Sequence, residues 1–224
     1  MSMADSYDPA RKRRRLRLGA VSRQQSGQPR GTGLTRREEL LEIAAEQFAA
    51  RGFVSVTVDD LGAAANVSGP ALYHHFESKE AMLGEMLVDI SHHLLEGGRA
   101  LLDTAEDGRL LDELIAMHVD FAVDHRALIS VHFRDLLQAS PDDQRKVRRF
   151  QREYVEIWVE ALLGRAPDLQ PAVARAGVHG VLGLINSTPF SPRARRADLV
   201  SMLRAMAVAG LDAACTQASD ENDD

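Results

Sequence analysis

The stretch NVSGPALYHHFESKE, residues 66–80, decides how this 224-residue sequence is interpreted. Ser68 stands where it can cap a short helix, and Pro70 falls in the first turn, where the missing N–H of proline costs nothing. Tyr73 and His74 follow one turn later. A helix with so little side-chain bulk at its tip, followed by an aromatic ring and an imidazole, is suited to lie against a partner molecule rather than against its own core.

Two helices are predicted before this one. The first runs from Thr35 to Arg51 and ends at Gly52, because glycine tolerates the left-handed backbone that closes helices. The second begins at Thr57, with Asp60 in the position of the acidic partner of a capping box, and ends at Asn66. Two short helices joined by a tight turn form a helix-turn-helix, whose second helix enters the DNA major groove. The sequence therefore favours a three-helix unit that binds double-stranded DNA. The alternative is an ordinary three-helix core with a solvated tyrosine.

The rest of the chain has helical periodicity and no strand alternation. A fourth helix begins at Ser78 and is predicted to end at the glycine pair Gly97-Gly98. Longer helices are predicted at residues 110–139, 141–163, 171–186 and 193–215, separated by segments rich in proline, glycine and capping residues. The predicted fold is all-α, with an N-terminal helix-turn-helix DNA-binding domain and a C-terminal helical bundle. The expected divisions are a disordered basic arm at 1–33, the DNA-binding domain at 34–80, a ligand-binding and dimerisation domain at 81–215, and an acidic tail at 216–224.

Charge is distributed unevenly along the chain. Residues 1–37 hold ten Lys or Arg against Asp5 and Asp8, a net of +8, so the remaining residues carry −14 of the total of −6. Residues 38–80 hold two basic and eight acidic residues, a net of −6, which would weaken binding to phosphate. The arm, with Arg36 and Arg37 at its base, is the predicted source of positive charge for DNA. The alternative is a disordered tail that only keeps the protein in solution.

The segment LLEIAAEQFAARGFVSVTVDDLGAAANVSGPALYHHFESKEAML, residues 40–83, resembles the N-terminal domain of TetR-family transcriptional regulators. The resemblance implies a homodimer, a palindromic operator, and a variable C-terminal domain whose ligand changes the spacing of the two DNA-reading heads. It also implies roles for individual residues. Phosphate contacts are implied for Thr57, Tyr73, His74 and Lys79, and the tip of Ser68, Gly69, Pro70 and Ala71 would face base edges. The long arginine-rich arm departs from the family pattern, so additional minor-groove or backbone contacts stay open.

A stripe of residues at three- and four-residue steps, carrying His118, His125 and His132, marks the C-terminal domain. These histidines either orient a ligand, satisfy one another, or, if the helix breaks near residues 124–126, bring His118 and His132 together at a metal with a nearby carboxylate. Arg134 either pairs with Asp135 or anchors an acidic ligand such as a carboxylate or an acyl-CoA phosphate. No cofactor is required; a small apolar or acyl-type effector is expected. The predicted ligand-binding residues are His118, Phe121, His125, His132, Phe133, Arg134, Tyr154 and Trp158.

The last two predicted helices are expected to form the dimer interface. Glycine in a helix interior costs up to about 1 kcal/mol, so three glycines spaced three apart require a reason, and the close approach of another helix supplies one. The alternative is close packing within one subunit. The predicted interface residues are Gly177, Gly180, Gly183, Leu199, Leu203 and Met206.

Other classes of protein find little support in the sequence. It has no phosphate-binding glycine loop, nucleophile elbow, zinc-protease pair or paired carboxylates at catalytic spacing, so no enzyme and no catalytic residue is predicted. One cysteine, Cys215, and the lack of a signal peptide or long apolar run favour a cytoplasmic protein without a membrane partner. The expected function is a repressor released by its effector. A metal-responsive regulator, a constitutive architectural DNA binder and an activator are the alternatives.

Overall fold

The computed structural model describes residues 35–106, 108–191 and 194–220, with side chains to Thr216. Its elements within these ranges are helical, so the all-α prediction is confirmed. The predicted basic arm and residues 221–224 of the predicted acidic tail lie outside the described residues. The helices are α1 (Arg36–Arg51), α2 (Val58–Ala64), α3 (Gly69–Leu72), α4 (Lys79–Thr104), α5 (Leu110–Asp124), α6 (Arg126–Asp135), α7 (Pro141–Arg165), α8 (Pro171–Ile185) and α9 (Arg196–Asp220), with 3₁₀ turns at Leu136–Gln138 and Thr188–Phe190.

Local capping chemistry fixes where the N-terminal helices begin. The backbone N–H of Asp60 donates to the Thr57 hydroxyl at 3.1 Å, and the Thr57 N–H donates back to the Asp60 carboxylate at 2.8 Å, so the predicted capping box is confirmed. Ser78 caps α4 by accepting from the Ala81 N–H. The prediction for Ser68 as a cap is only half right. Ser68 occupies the N-cap position of α3 but makes no capping hydrogen bond.

The helix α4 continues through Gly97 and Gly98 to Thr104, so the predicted end at this glycine pair is wrong. The two glycines serve packing instead of termination. A Cβ on Gly98 would lie 3.1 Å from the Tyr154 ring, and one on Gly97 would lie 2.6 Å from the Met117 sulfur. Both positions therefore allow α5 and α7 to approach α4 closely.

The predicted helix at 110–139 is broken at His125, whose backbone leaves helical geometry between α5 and α6. The 3₁₀ turn at Thr188–Phe190 satisfies groups on both sides of the break. The Thr188 hydroxyl donates to the Ala122 carbonyl at 2.8 Å, and the Arg126 guanidinium donates to the carbonyls of Thr188 and Ser191. The break lies within residues 124–126, where the sequence analysis had placed a possible break, although periodicity had favoured one continuous helix.

The long helices α4 and α7 run side by side in the same direction. Gly84, near the start of α4, packs against Asp143, whereas Arg99, further along, pairs with Glu153 at 2.7 Å. Both helices therefore rise away from the N-terminal unit. The helix α9 contacts α5 and α8, and α6 contacts α1, which joins the two parts of the molecule.

Candidate DNA-binding surface and effector cavity

The turn between α2 and α3 depends on Gly62. A Cβ at this position would lie 2.8 Å from the Val67 carbonyl oxygen and 3.1 Å from the Gly69 nitrogen, both of them backbone atoms that cannot move aside. The Gly62 carbonyl also accepts a 2.9 Å hydrogen bond from the Val67 N–H. Asn66 completes the turn in the left-handed conformation, with φ of 57°. Gly62 was not singled out in the sequence, although a glycine inside a helical pattern is a sign of close backbone approach.

The tip of α3 and the turn after it face outward. Leu72 and Phe76 are 2% and 4% exposed and anchor this segment in the core, whereas Tyr73 is 56% exposed and His74 is exposed. Ser68 and Pro70 at the tip are exposed as well. Four of the residues predicted to meet DNA, Ser68, Pro70, Tyr73 and His74, are therefore exposed on α3 and the adjoining turns, and their individual contacts stay predictions.

The basic residues beside this surface bind groups of the protein itself. Lys79 Nζ donates to the carbonyls of Phe53 and Val56 at 2.9 and 2.8 Å and lies over the Phe53 ring. Arg37 binds Glu85 through a 2.6 Å hydrogen bond from Nε. Arg36 behaves similarly, donating to the Ala65 carbonyl at 2.8 Å and pairing with Glu39 at 3.0 Å. These bonds restrict the phosphate contacts predicted for the three side chains, because much of their hydrogen-bonding capacity is already used.

The Thr57 hydroxyl is occupied in the same way. It accepts from the Asp60 N–H and donates to the Asp60 carboxylate at 2.7 Å. The hydrogen bond from Arg51, followed by those from Thr57, holds the pKa of Asp60 well below its usual range. The carboxylate therefore stays charged at the start of α2. A phosphate contact at Thr57 would have to accommodate this negative charge.

A cavity of about 70 Å³ lies between α4, α5, α6 and α7. Four of the predicted ligand residues line it: Phe121, His132, Phe133 and Tyr154. Its other lining residues, which the sequence did not indicate, are Ile90, Ser91, Leu94, Ile129, Gln151 and Asn186. Small-molecule sites usually enclose about 300–1,000 Å³, so this cavity is much smaller than a typical ligand site.

The buried His118 is held by a polar network rather than by a metal. Its Nδ1 accepts a hydrogen bond from the Tyr154 hydroxyl at 3.1 Å, and its Nε2–H donates to the Asn186 side-chain oxygen at 3.1 Å. Neither ring nitrogen therefore has a free lone pair for a metal ion. Burial lowers the pKa of His118 to about 4 and raises the pKa of Tyr154. His132 instead contacts Gln151. Among the described residues no group of three or more His, Cys, Asp or Glu could hold a metal, so the predicted pairing of His118 with His132 is wrong.

Arg134 connects α6 to the end of α1. Its guanidinium pairs with the buried Asp135 at 3.0 Å and donates to the carbonyls of Phe48 and Ala49 at the C-terminus of α1. The predicted Arg134–Asp135 pair is confirmed, and the side chain is not among those lining the cavity. Three other residues predicted to bind ligand, His118, His125 and Trp158, also lie outside the cavity lining.

The residues predicted for the dimer interface divide into two groups. Leu199 and Leu203 are 4% and 3% exposed in the single protomer, and a Cβ on Gly177 would lie 3.0 Å from the Ala214 Cβ, so these three pack within one subunit and their assignment to the interface is wrong. Gly180 and Gly183 face open space.

Apolar surface remains on the outside of α9. Met202 and Met206 are 50% and 45% exposed, and Ala205 and Ala209 are exposed on the same helix. The segment Arg196–Thr216 has a mean hydropathy of 1.4 and is long enough to cross a bilayer, which the expectation from the sequence did not include. Its most apolar stretch is only 22% buried. Exposed apolar surface of this kind is typical of an interaction site.

Together these features describe a helix-turn-helix domain joined to an α-helical domain with a small cavity between its helices. Residues 40–86 match the family model described as bacterial regulatory proteins, tetR family. A relative, the HTH-type transcriptional repressor KstR2 of Mycolicibacterium smegmatis, is 34% identical over 132 residues, which span 57% of this chain and 63% of the relative. The match thus covers just under two thirds of that protein's length.

Solved structures agree in fold over more of the chain. The ketosteroid transcriptional regulator KstR2 of Mycobacterium tuberculosis superimposes with a TM-score of 0.66 at 25% identity, covering 80% of this chain and 94% of that one. AibR in complex with isovaleryl coenzyme A and operator DNA gives a TM-score of 0.64 at 17% identity over 77% and 97% of the two chains, a likeness of fold alone. The N-terminal domain therefore matches the tetR family of bacterial regulatory proteins, and the chain as a whole resembles TetR-family transcriptional regulators in sequence and fold.

Proposed function

We propose that this protein is a cytoplasmic transcriptional repressor that binds a palindromic operator as a homodimer and is released by a small apolar or acyl-type effector. The observation that carries the proposal is the α2–α3 turn. Close backbone packing at Gly62 presents an exposed tip with Tyr73 and His74 above the buried anchors Leu72 and Phe76. An exposed tip on a rigid base is the geometry that a major-groove reading head requires.

The effector would act through α6. This helix supplies His132 and Phe133 to the cavity wall, and the adjacent Arg134 holds the carbonyl end of α1. A ligand larger than this cavity must displace part of that wall, and a displacement of α6 would pull on α1 and reposition the reading head. AibR, a protein of the same fold, has been solved with isovaleryl coenzyme A, so acyl thioesters are the first class of effector to test.

The small cavity also favours the second candidate, a constitutive architectural DNA binder without an inducer. A panel of acyl thioesters and free acids, added to the protein–operator complex, separates the two. Release of the DNA by any member at micromolar concentration supports the repressor, and retention against the whole panel supports the constitutive binder.

The basic arm provides the test of the DNA-binding function. Residues 1–33 carry eight Lys or Arg against two Asp. If half of these cations contact phosphate, deleting the arm reduces the slope of log affinity against log salt by about 3.6 per protomer. We expect both forms to select one site in the DNA upstream of the gene, measured by fluorescence anisotropy across a salt series, with the truncated form weaker.

Two outcomes would contradict this expectation. An unchanged salt slope in the truncated protein would assign the arm to solubility alone. If neither form prefers any sequence in a selection from random DNA, the proposed repressor function is wrong.

The proposed dimer rests on the uncovered α8–α9 face. Introducing Gly183→Glu and Met206→Glu together would place four carboxylates in one two-fold interface, and like charges in an interface cost several kcal/mol. We expect the dissociation constant of the dimer to rise by at least about a thousandfold, from about nanomolar to about micromolar. Sedimentation velocity at about 1 µM protein would then show about half of the protomers as monomer, against a dimer for the unaltered protein.

A matched control places the same charge on a different exposed apolar residue. Leu102→Glu lies on α4, where the side chain is 47% exposed, and is expected to leave the dimer intact. Loss of the dimer in this control as well, or its survival in the double variant, would contradict the assignment.

A further inference from the structure

The outer face of α7 carries the densest basic cluster in the described part of the chain. Within residues 145–152 stand five cations around an open crevice of about 560 Å³. The members of this α7 basic face are Arg145, Lys146, Arg148, Arg149 and Arg152, and the crevice is also bordered by Asp142. All five side chains are exposed.

The carboxylates nearby neutralise only part of this charge. Arg145 pairs with Asp142, Lys146 with Asp143 at 2.9 Å, and Arg149 with Glu153 at the long distance of 3.8 Å. Because five cations face three carboxylates, the α7 basic face keeps a net charge of +2.

The two remaining cations are Arg148 and Arg152. Arg148 donates to the neutral Gln144 side chain at 3.3 Å, and among the described residues neither Arg148 nor Arg152 forms an ion pair. These two guanidiniums are therefore available to an anion.

The basic face lies next to the cavity. Gln151, between Arg148 and Arg152 in the same turn of α7, lines the cavity itself. On the neighbouring α6, Phe133 lines the cavity while remaining 57% exposed, and Leu137, four residues further on, is 72% exposed. Gln144 connects this apolar surface to the basic face, because its side chain donates to the Leu137 carbonyl at 3.2 Å and accepts from Arg148 at 3.3 Å.

The upper part of this face is too far from the reading head to serve the operator. Arg99 of α4 pairs with Glu153, the neighbour of Arg152, and lies twenty residues after Lys79. At 1.5 Å per residue this separation is about 30 Å along the axis of α4. A ligand of the C-terminal domain fits the position better than the DNA backbone does.

We propose that Arg148 and Arg152 bind the phosphate-bearing head of an amphipathic effector whose apolar part enters the adjacent cavity. Guanidinium groups pair with phosphate oxygens through two parallel hydrogen bonds, which favours arginine at such a site. The inference rests on the proposed effector response and adds the class of ligand, an apolar group joined to a head with two or more phosphates.

Calorimetry on the full-length dimer without DNA tests this site. The probes are coenzyme A thioesters with acyl chains of increasing length, the matching free fatty acids, and coenzyme A itself. We expect at least one thioester to bind the unaltered protein. The variant Arg148→Gln/Arg152→Gln should bind that thioester at least about 30-fold more weakly, since two charge-assisted contacts are lost, while its affinity for the free acid is unchanged.

The control Arg109→Gln/Arg195→Gln removes the same charge from two exposed arginines elsewhere and should bind the thioester normally. Binding of no thioester, or equal affinities in both double variants, overturns the inference. So does a reduced salt slope of operator binding in Arg148→Gln/Arg152→Gln without a loss of thioester affinity, since that result would assign the face to DNA. Operator binding is measured separately, so failure of the repressor function is distinguishable from failure of this site.

Discussion

Replacing Gly62 with alanine is expected to abolish specific operator binding while the C-terminal bundle stays folded. The added methyl group would meet the Val67 carbonyl and the Gly69 nitrogen, so α3 must move away from α2. Overpacking of this kind costs about 1–3 kcal/mol, and displacement of the reading head should lower operator affinity by at least about a hundredfold. Fluorescence anisotropy gives the affinity, and hydrogen exchange locates the loss of protection in α2 and α3.

The control is Gly164→Ala, in the last turn of α7, where a Cβ meets nothing within 4 Å. This change should stabilise the protein by up to about 1 kcal/mol, because alanine is the better helix former, and leave operator affinity as it was. If Gly62→Ala bound the operator as tightly as this control, the α2–α3 packing would not determine the reading geometry.

The second large effect is a pH dependence of stability that originates at His118. The folded protein keeps this imidazole neutral, with a pKa of about 4, whereas the unfolded chain protonates it near 6.5. Between these values protonation favours the unfolded state, so stability is full above pH 6.5 and is lost as the pH falls towards 4. A shift of this size corresponds to about 3 kcal/mol.

Asp89 opposes this trend in the unaltered protein. Burial, followed by the charge of Glu85, raises the pKa of Asp89 to about 6, and its Oδ2 is buried without a partner in the described ranges. Ionisation of this group favours the unfolded state, so its contribution to stability falls as the pH rises from 3.8 to 6. The two groups therefore partly cancel between pH 4 and 6.

Chemical denaturation of Asp89→Asn between pH 4 and 7, at fixed protein concentration, should reveal the His118 effect. We expect this variant to be more stable than the unaltered protein at pH 7, and to lose about 3 kcal/mol between pH 6.5 and 4. Adding His118→Gln should remove most of that loss. A loss that persists without His118 would assign the pH dependence to another group.

Short-range chemistry was the part of this structure most readily predicted from sequence. The Thr57–Asp60 capping box and the cap at Ser78 depend on residues three positions apart, so spacing alone identifies them. The tip at Ser68 and Pro70 is equally local, and the structure exposes it as expected.

Contacts between helices were harder to predict, because periodicity gives an apolar stripe without saying which neighbour covers it. Leu199 and Leu203 lie on such a stripe, and the protomer buries them in its own core. Asn186 was predicted only as the last residue of a helix, and its side-chain hydrogen bond to the ring of His118, 68 positions away, was not predicted. The glycine pair at Gly97-Gly98 was predicted to end a helix because the Tyr154 ring, which packs against Gly98, is distant in sequence.

The position of Arg134 has a consequence for how a cell would set the protein's sensitivity. The same short helix forms a wall of the cavity and grips α1, so the two binding events are energetically coupled in the proposed repressor. Such coupling is reciprocal, and DNA must weaken the effector's affinity by the same factor by which the effector weakens that of DNA. Repressor molecules that are not bound to DNA would therefore have the higher affinity for the effector and would bind it first. A larger pool of unbound repressor would raise the effector concentration needed for induction.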